Sequence, residues 1–113
     1  EEYLGIVPPS DAQGVLQDVH WSGGMLGYFP TYALGNLISV QFFDKAKADI
    51  PSLHDQIAAG QFEELHNWLR KHILQYGRKF TPADLVKRVT GNNLTAANYV
   101  AYIMSKYSDI YEL

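Results

Sequence analysis

The chain has no cysteine, which excludes a disulfide scaffold and thiolate metal sites and is compatible with the cytoplasmic location expected for it. It is also short of charge. Only 19% of its 113 residues are Asp, Glu, Lys or Arg, and the net charge of −3 mixes both signs. That leaves no basic footprint for nucleic acid or an anionic membrane surface. No apolar run approaches a membrane span, and no basic-then-apolar leader opens the chain. Strand-type alternation, internal repeats and low-complexity tracts are missing as well, so the expected class is all-α.

What is present is apolar and aromatic: 47% hydrophobic residues, with eight tyrosines and two tryptophans. A chain of this length forms one helical domain over residues 1–113, or part of a larger one, with a core of its own. So little charge on so small a body implies that some surface is buried against something else. Glu1-Glu2-Tyr3-Leu4-Gly5 reads like the end of an element already under way.

Capping and stop signals divide the chain into about five or six helices in an irregular bundle. Pro8-Pro9 force an extended start, after which Ser10 or Asp11 can cap a helix running to about Trp21. On such a helix Asp18 and His20 point roughly 200° apart, whereas unwinding near His20 would let them meet. The glycine-rich residues 23–29 read as a loop, and Pro30 opens a second helix. That helix is apolar on several faces, is expected to be mostly buried, and breaks at Asp49-Ile50-Pro51. A short helix over 51–59 stops at Gly60, and another over 61–76 stops at Gly77. Thr81-Pro82-Ala83-Asp84 is a strong helix start, closed by Gly91. Thr95 can cap the last helix, whose Tyr99, Tyr102, Tyr107 and Ile110 form an aromatic stripe suited to a core or an interface.

Residues 14–36, GVLQDVHWSGGMLGYFPTYALGN, concentrate polar functional groups among glycines as no other stretch does. A glycine-flexed loop carrying His20, Tyr28 and Tyr32 between helices is a place for chemistry, or a helix corner whose polar atoms merely satisfy backbone. His54, His66 and His72 read as solvated or hydrogen-bonded side chains. His66 and His72 lie about 240° apart on one helix and cannot act as an i,i+4 metal pair.

GVLQDVHW fits the Gly-x-x-Gln-Asp-x-His-Trp signature of the carboxypeptidase Taq family of zinc metallocarboxypeptidases, which the chain resembles. GYFPTYALGNL is similar to the segment following that signature, and GRKFTPADLVKRVTG and YVAYIMSKYSDIY to the family's C-terminal end. The likeness therefore covers essentially the whole chain. It implies an all-helical metallopeptidase, several times longer, that removes single residues from peptide C-termini and forms homodimers. None of the four histidines begins the family's His-Glu-x-x-His. The resemblance thus makes this a C-terminal region working with the N-terminal part of the same enzyme, with the zinc ligands outside it and no metal expected in this chain alone. It also implies roles within the signature that begins at Gly14. His20 with Tyr28 or Tyr32 would stabilise the oxyanion, Gln17 and Asp18 would orient, and Trp21 would pack. Tyr32 is the weaker tyrosine, because the following helix could bury it. A helical interaction domain, or a structural subdomain with an inert loop histidine, is the alternative.

Overall fold

The computed structural model describes residue 2 and residues 5–112, which contain six α-helices, three short 3-10 turns and no strand. The helices are α1 (Val19–Ser22), α2 (Pro30–Asp49), α3 (Leu53–Ala58), α4 (Glu63–His72), α5 (Pro82–Thr90) and α6 (Ala97–Tyr111). The all-α expectation holds. The reading of the opening residues as the end of an element falls mostly on Glu1, Tyr3 and Leu4, outside the described residues. The chain divides into two compact units, Glu1–Leu34 and Gly35–Leu113.

The second unit holds the core. Ala46 and Ile50 at the end of α2, Leu53 of α3, Trp68 of α4 and Val89 of α5 are buried together, and Phe42, Phe43, Leu65, Leu69 and Leu85 pack on them. Local chemistry sets the ends of these helices. The Thr81 hydroxyl accepts the Asp84 N–H at 3.2 Å, and Gly91 closes α5 in the left-handed region at φ 78°. The Trp68 indole N–H donates to the Asp49 carboxylate at 2.9 Å, so the one polar atom of that buried ring is satisfied.

Gln41 is a buried polar residue of this unit, 4% exposed. Its amide nitrogen donates to the Asn93 carbonyl at 2.9 Å, and its amide oxygen accepts the Thr95 N–H at 3.2 Å. The Thr95 hydroxyl in turn accepts the Ala97 N–H at 3.2 Å and starts α6. Asn98 then donates to Asp44 at 2.7 Å. One amide therefore pins the loop that sets where α6 begins. Gln41→Ala strands two backbone groups and is expected to cost about 1–3 kcal/mol in urea unfolding. A loss below about 0.5 kcal/mol would show that water takes over both bonds.

Asp44 and Asp49 tie charge to the same scaffold. Lys45 and the Trp68 indole hold the Asp49 carboxyl below its ordinary value. At Asp44 desolvation pushes upward, but the bonds from Lys47 and Asn98 outweigh it and the net direction is also down. A carboxyl more acidic when folded than when unfolded stabilises above the unfolded value and loses that contribution as pH falls through the folded one. The urea midpoint should therefore be flat from neutrality to about pH 5 and drop below about pH 4.

One expectation needs correction. α2 is not mostly buried: only Gln41 and Ala46 reach that state. Its apolar residues lie all round the helix, and the described packing covers one side. In α6 no residue is fully buried, and Tyr102, Met104, Tyr107 and Ile110 stand exposed.

Candidate active site

The helix expected over residues 10–21 is broken, and the break builds the site. Two 3-10 turns, Asp11–Gln13 and Val15–Gln17, are joined at Gly14. A Cβ on Gly14 would sit 3.0 Å from the Pro8 ring, tight enough that the ring would have to give, which favours glycine at that position. The Gln17 amide donates to the Ala12 carbonyl at 2.5 Å and holds the turn. Asp18 is then extended, with φ −91° and ψ 110°, so the helical phase that would separate it from His20 is lost.

From that extended position Asp18 caps the single turn α1. Its Oδ1 accepts the His20 backbone N–H at 2.9 Å and lies 2.7 Å from His20 Nδ1. The second of the two outcomes left open by the sequence is therefore the one observed. The other ring nitrogen, Nε2, is 3.2 Å from the Tyr32 hydroxyl. Asp18, His20 and Tyr32 thus form one hydrogen-bonded line. Its path back is set by the glycine loop: the Met25 N–H bonds the His20 carbonyl at 2.8 Å, and Gly24 and Gly27 turn the chain at φ 71° and 78°. Pro30 then opens α2, and Thr31 bonds the Tyr28 carbonyl at 2.6 Å.

Aromatic rings surround the imidazole. Tyr28 stacks on it at 5.5 Å and 22°, while Phe29 and Tyr32 meet it edge-on, each at 5.5 Å. The His20 side chain is 17% exposed, whereas Tyr32 is 52% exposed. The ranking of Tyr32 below Tyr28 rested on its being buried by α2, and that premise is overturned. Phe29 was not singled out from the sequence. Its place between Tyr28 and Pro30, at the point where the loop must turn back, was the available signal.

The remaining signature residues fall differently. The Gln17 amide N–H is bonded to the turn rather than to His20. Trp21, read as a packing residue, is 53% exposed within the described residues. His54, His66 and His72 lie on α3 and α4, His72 stacking on Trp68 at 4.8 Å.

Protonation suits hydrogen-bond donation. The His20 backbone N–H, with help from the imidazole, holds the Asp18 carboxyl below its ordinary value against a smaller desolvation, so it is a carboxylate near neutrality. Desolvation, then the Tyr28 side chain and the Asp18 charge, hold the Tyr32 phenol above its ordinary value, so it keeps its proton. Among the described residues no three His, Asp or Glu side chains are arranged to hold a metal ion, so these residues do not fit a zinc centre.

The model of the carboxypeptidase Taq (M32) metallopeptidases matches residues 1–107. The chain belongs to this family. It is 46% identical to thermostable carboxypeptidase 1 of Thermus thermophilus over 97% of its length and 22% of that protein's. Carboxypeptidase 1 of Bacillus subtilis is 40% identical over the whole chain and 23% of the relative. Among solved structures, an M32 carboxypeptidase from Deinococcus radiodurans superposes with a TM-score of 0.90 at 43% identity, covering 100% of this chain and 23% of that one. A metallocarboxypeptidase from Trypanosoma cruzi gives 0.85 at 34% identity over 93% of this chain and 22% of its own. The chain therefore spans less than a quarter of the length of these family members.

Proposed function

We propose that the chain is the C-terminal region of a metal-dependent carboxypeptidase that hydrolyses single residues from peptide C-termini. The zinc ligands belong to the N-terminal part of the same enzyme, which works in the cytoplasm as a homodimer. The observation that carries this reading is the Asp18–His20–Tyr32 line, built on the family signature beside Tyr28. Amide hydrolysis places negative charge on the former carbonyl oxygen, and preorganised N–H and O–H donors stabilise it most where water is excluded. A carboxylate-anchored imidazole and phenol hydroxyls are donors of that kind. Their contribution is to hold the carbonyl oxygen as its charge grows.

The test begins upstream. A His-Glu-x-x-His segment should be encoded before Glu1, and the complete protein should release C-terminal residues from peptides. Absence of the segment, or a complete protein without that activity, would remove the reading. The 113 residues alone should release nothing and bind zinc only weakly in calorimetry, because the ligands are elsewhere. Tight stoichiometric zinc binding by the chain alone would contradict this.

A second reading has its own observation. An open groove of about 920 Å³ lined by Phe43, His54, Tyr99, Tyr102, Ile103 and Tyr107 runs beside α6. Together with the exposed tyrosines it suits a helical interaction domain. A complete protein that lacks peptidase activity, yet holds a partner through this face, would favour it.

A further inference from the structure

The last helix, α6, carries an apolar pattern that lies apart from the candidate active site. Val100, Met104, Tyr107 and Tyr111 follow one another at intervals of four, three and four residues. At about 100° per residue they fall within about 60° of one another, a single narrow stripe along the helix. All four are exposed, by between 38% and 66%. We propose that this stripe is the seat of one helix from the N-terminal part of the same enzyme, upstream of Glu1. The proposal rests on the peptidase reading above and adds to it the surface that joins the two parts of that enzyme.

A surface helix normally turns its apolar side toward the core and its polar side to water. The start of α6 is held by polar bonds instead. The Thr95 N–H bonds the Gln41 amide oxygen at 3.2 Å, and Asn98 donates to Asp44 at 2.7 Å. Tyr99 and Ile103 are half-buried, but the stripe lies further round the helix and stays open. The only two charges of α6, Lys106 and Asp109, both fall outside it. Tyr107 and Tyr111 stack at 5.8 Å and 16°, so half of the stripe is one flat, prearranged surface. Lys106 Nζ lies 5.8 Å from the Tyr107 ring and marks the polar border.

Width and connection decide the occupant. A seam with four-three-four spacing takes a single helix, crossing at about 20° with the axes about 8–10 Å apart. Four side chains on one helix fall short of the roughly 800 Å² that each partner in a stable complex buries. Two separate chains also lose translational and rotational freedom on meeting, whereas a segment of the same chain is already held nearby. A narrow stripe therefore suits an intramolecular partner better than a second copy or another protein. The chain spans less than a quarter of the length of its relatives, so a complete enzyme of their size has ample chain to supply that helix.

The test uses the complete enzyme with Met104 replaced by photoreactive p-benzoylphenylalanine. After irradiation and digestion, mass spectrometry should find this position joined to a peptide from upstream of Glu1 in the same chain. A link only between two copies, a link only to another protein, or no link at all overturns the proposal.

A second arm reads stability. Met104→Lys in the complete enzyme should lower the urea midpoint by about 0.5–1 M, because its charge would lie in an apolar seam. Ser105→Lys, one position round on the polar side, should leave the midpoint within about 0.2 M of the parent. Equal midpoints for the two variants overturn the proposal. If Met104→Lys yields no folded enzyme, the cross-link still decides. An enzyme that links Met104 upstream yet releases no C-terminal residue would sink the peptidase reading and leave the docking intact. An active peptidase with Met104 unlinked would sink the docking alone.

Discussion

His20→Ala in the complete enzyme is expected to lower kcat by about 100- to 1,000-fold while KM stays within about threefold. The magnitude is that of losing one preorganised donor to an oxyanion. The split between kcat and KM follows because such a donor acts on charge that exists only in the transition state. Tyr32→Phe should fall in the same range, since it removes the outer end of the line and leaves His20 with a neighbour that cannot hydrogen-bond. Tyr28→Phe should cost less, because its ring stacks on His20 and phenylalanine keeps that face. Metal content has to be measured in each variant. If all three keep their metal and turn over within about threefold of the parent, the loop is structural and the donor reading is wrong. Loss of metal would show instead that the aromatic cluster supports the ligands indirectly.

The order among the two tyrosines shows what sequence can and cannot supply here. Thr81 with Asp84, and Gly60, Gly77 and Gly91, mark helix ends through chemistry that is local to a few residues. α3 and α5 end where Gly60 and Gly91 predict, but α4 does not run to Gly77: it stops at His72, its phase breaks at Ile73, and a 3-10 turn over Leu74–Tyr76 carries the chain to Gly77. The signature at Gly14–Trp21 was legible as a motif. Its geometry was not, because the helical reading depends on an unbroken phase from Asp11. That phase is lost at Gly14, where the Pro8 ring crowds the position of a side chain, and again at extended Asp18. One extended residue decides whether the carboxylate reaches the imidazole, and no periodicity reports it. Apolar content misled in a similar way. Tyr32 and Leu34 sit in a helix rich in large side chains, yet they are 52% and 47% exposed. Composition records how much apolar surface exists and leaves open what covers it.

The folding core offers the other large effect. Leu53→Ala is expected to destabilise the chain by about 3–5 kcal/mol. Leu53 is 1% exposed and shares its buried cluster with Ala46, Ile50, Trp68 and Val89, which draws on four helices or their ends. Removing its branched end leaves a space that Trp68 cannot fill. The Trp68 ring is anchored by its indole bond to Asp49 and stacked against His72. With one neighbour held and Ala46 too small to reach, partial collapse is the most the site can manage, so the cost lies in the upper part of the usual range. Against a total of about 5–15 kcal/mol for a small domain, that is a large share. Urea unfolding should show the midpoint moving down with the slope unchanged. Ile110→Ala on exposed α6 is the comparison, expected within about 0.5 kcal/mol of the parent. A Leu53→Ala cost no larger than that of Ile110→Ala would mean this cluster does not hold the second unit together. The reverse, a large cost at Ile110, would mean that the α6 face is covered in solution by a second copy of the chain. Repeating the unfolding at several chain concentrations separates the two, because only an association makes the midpoint depend on concentration.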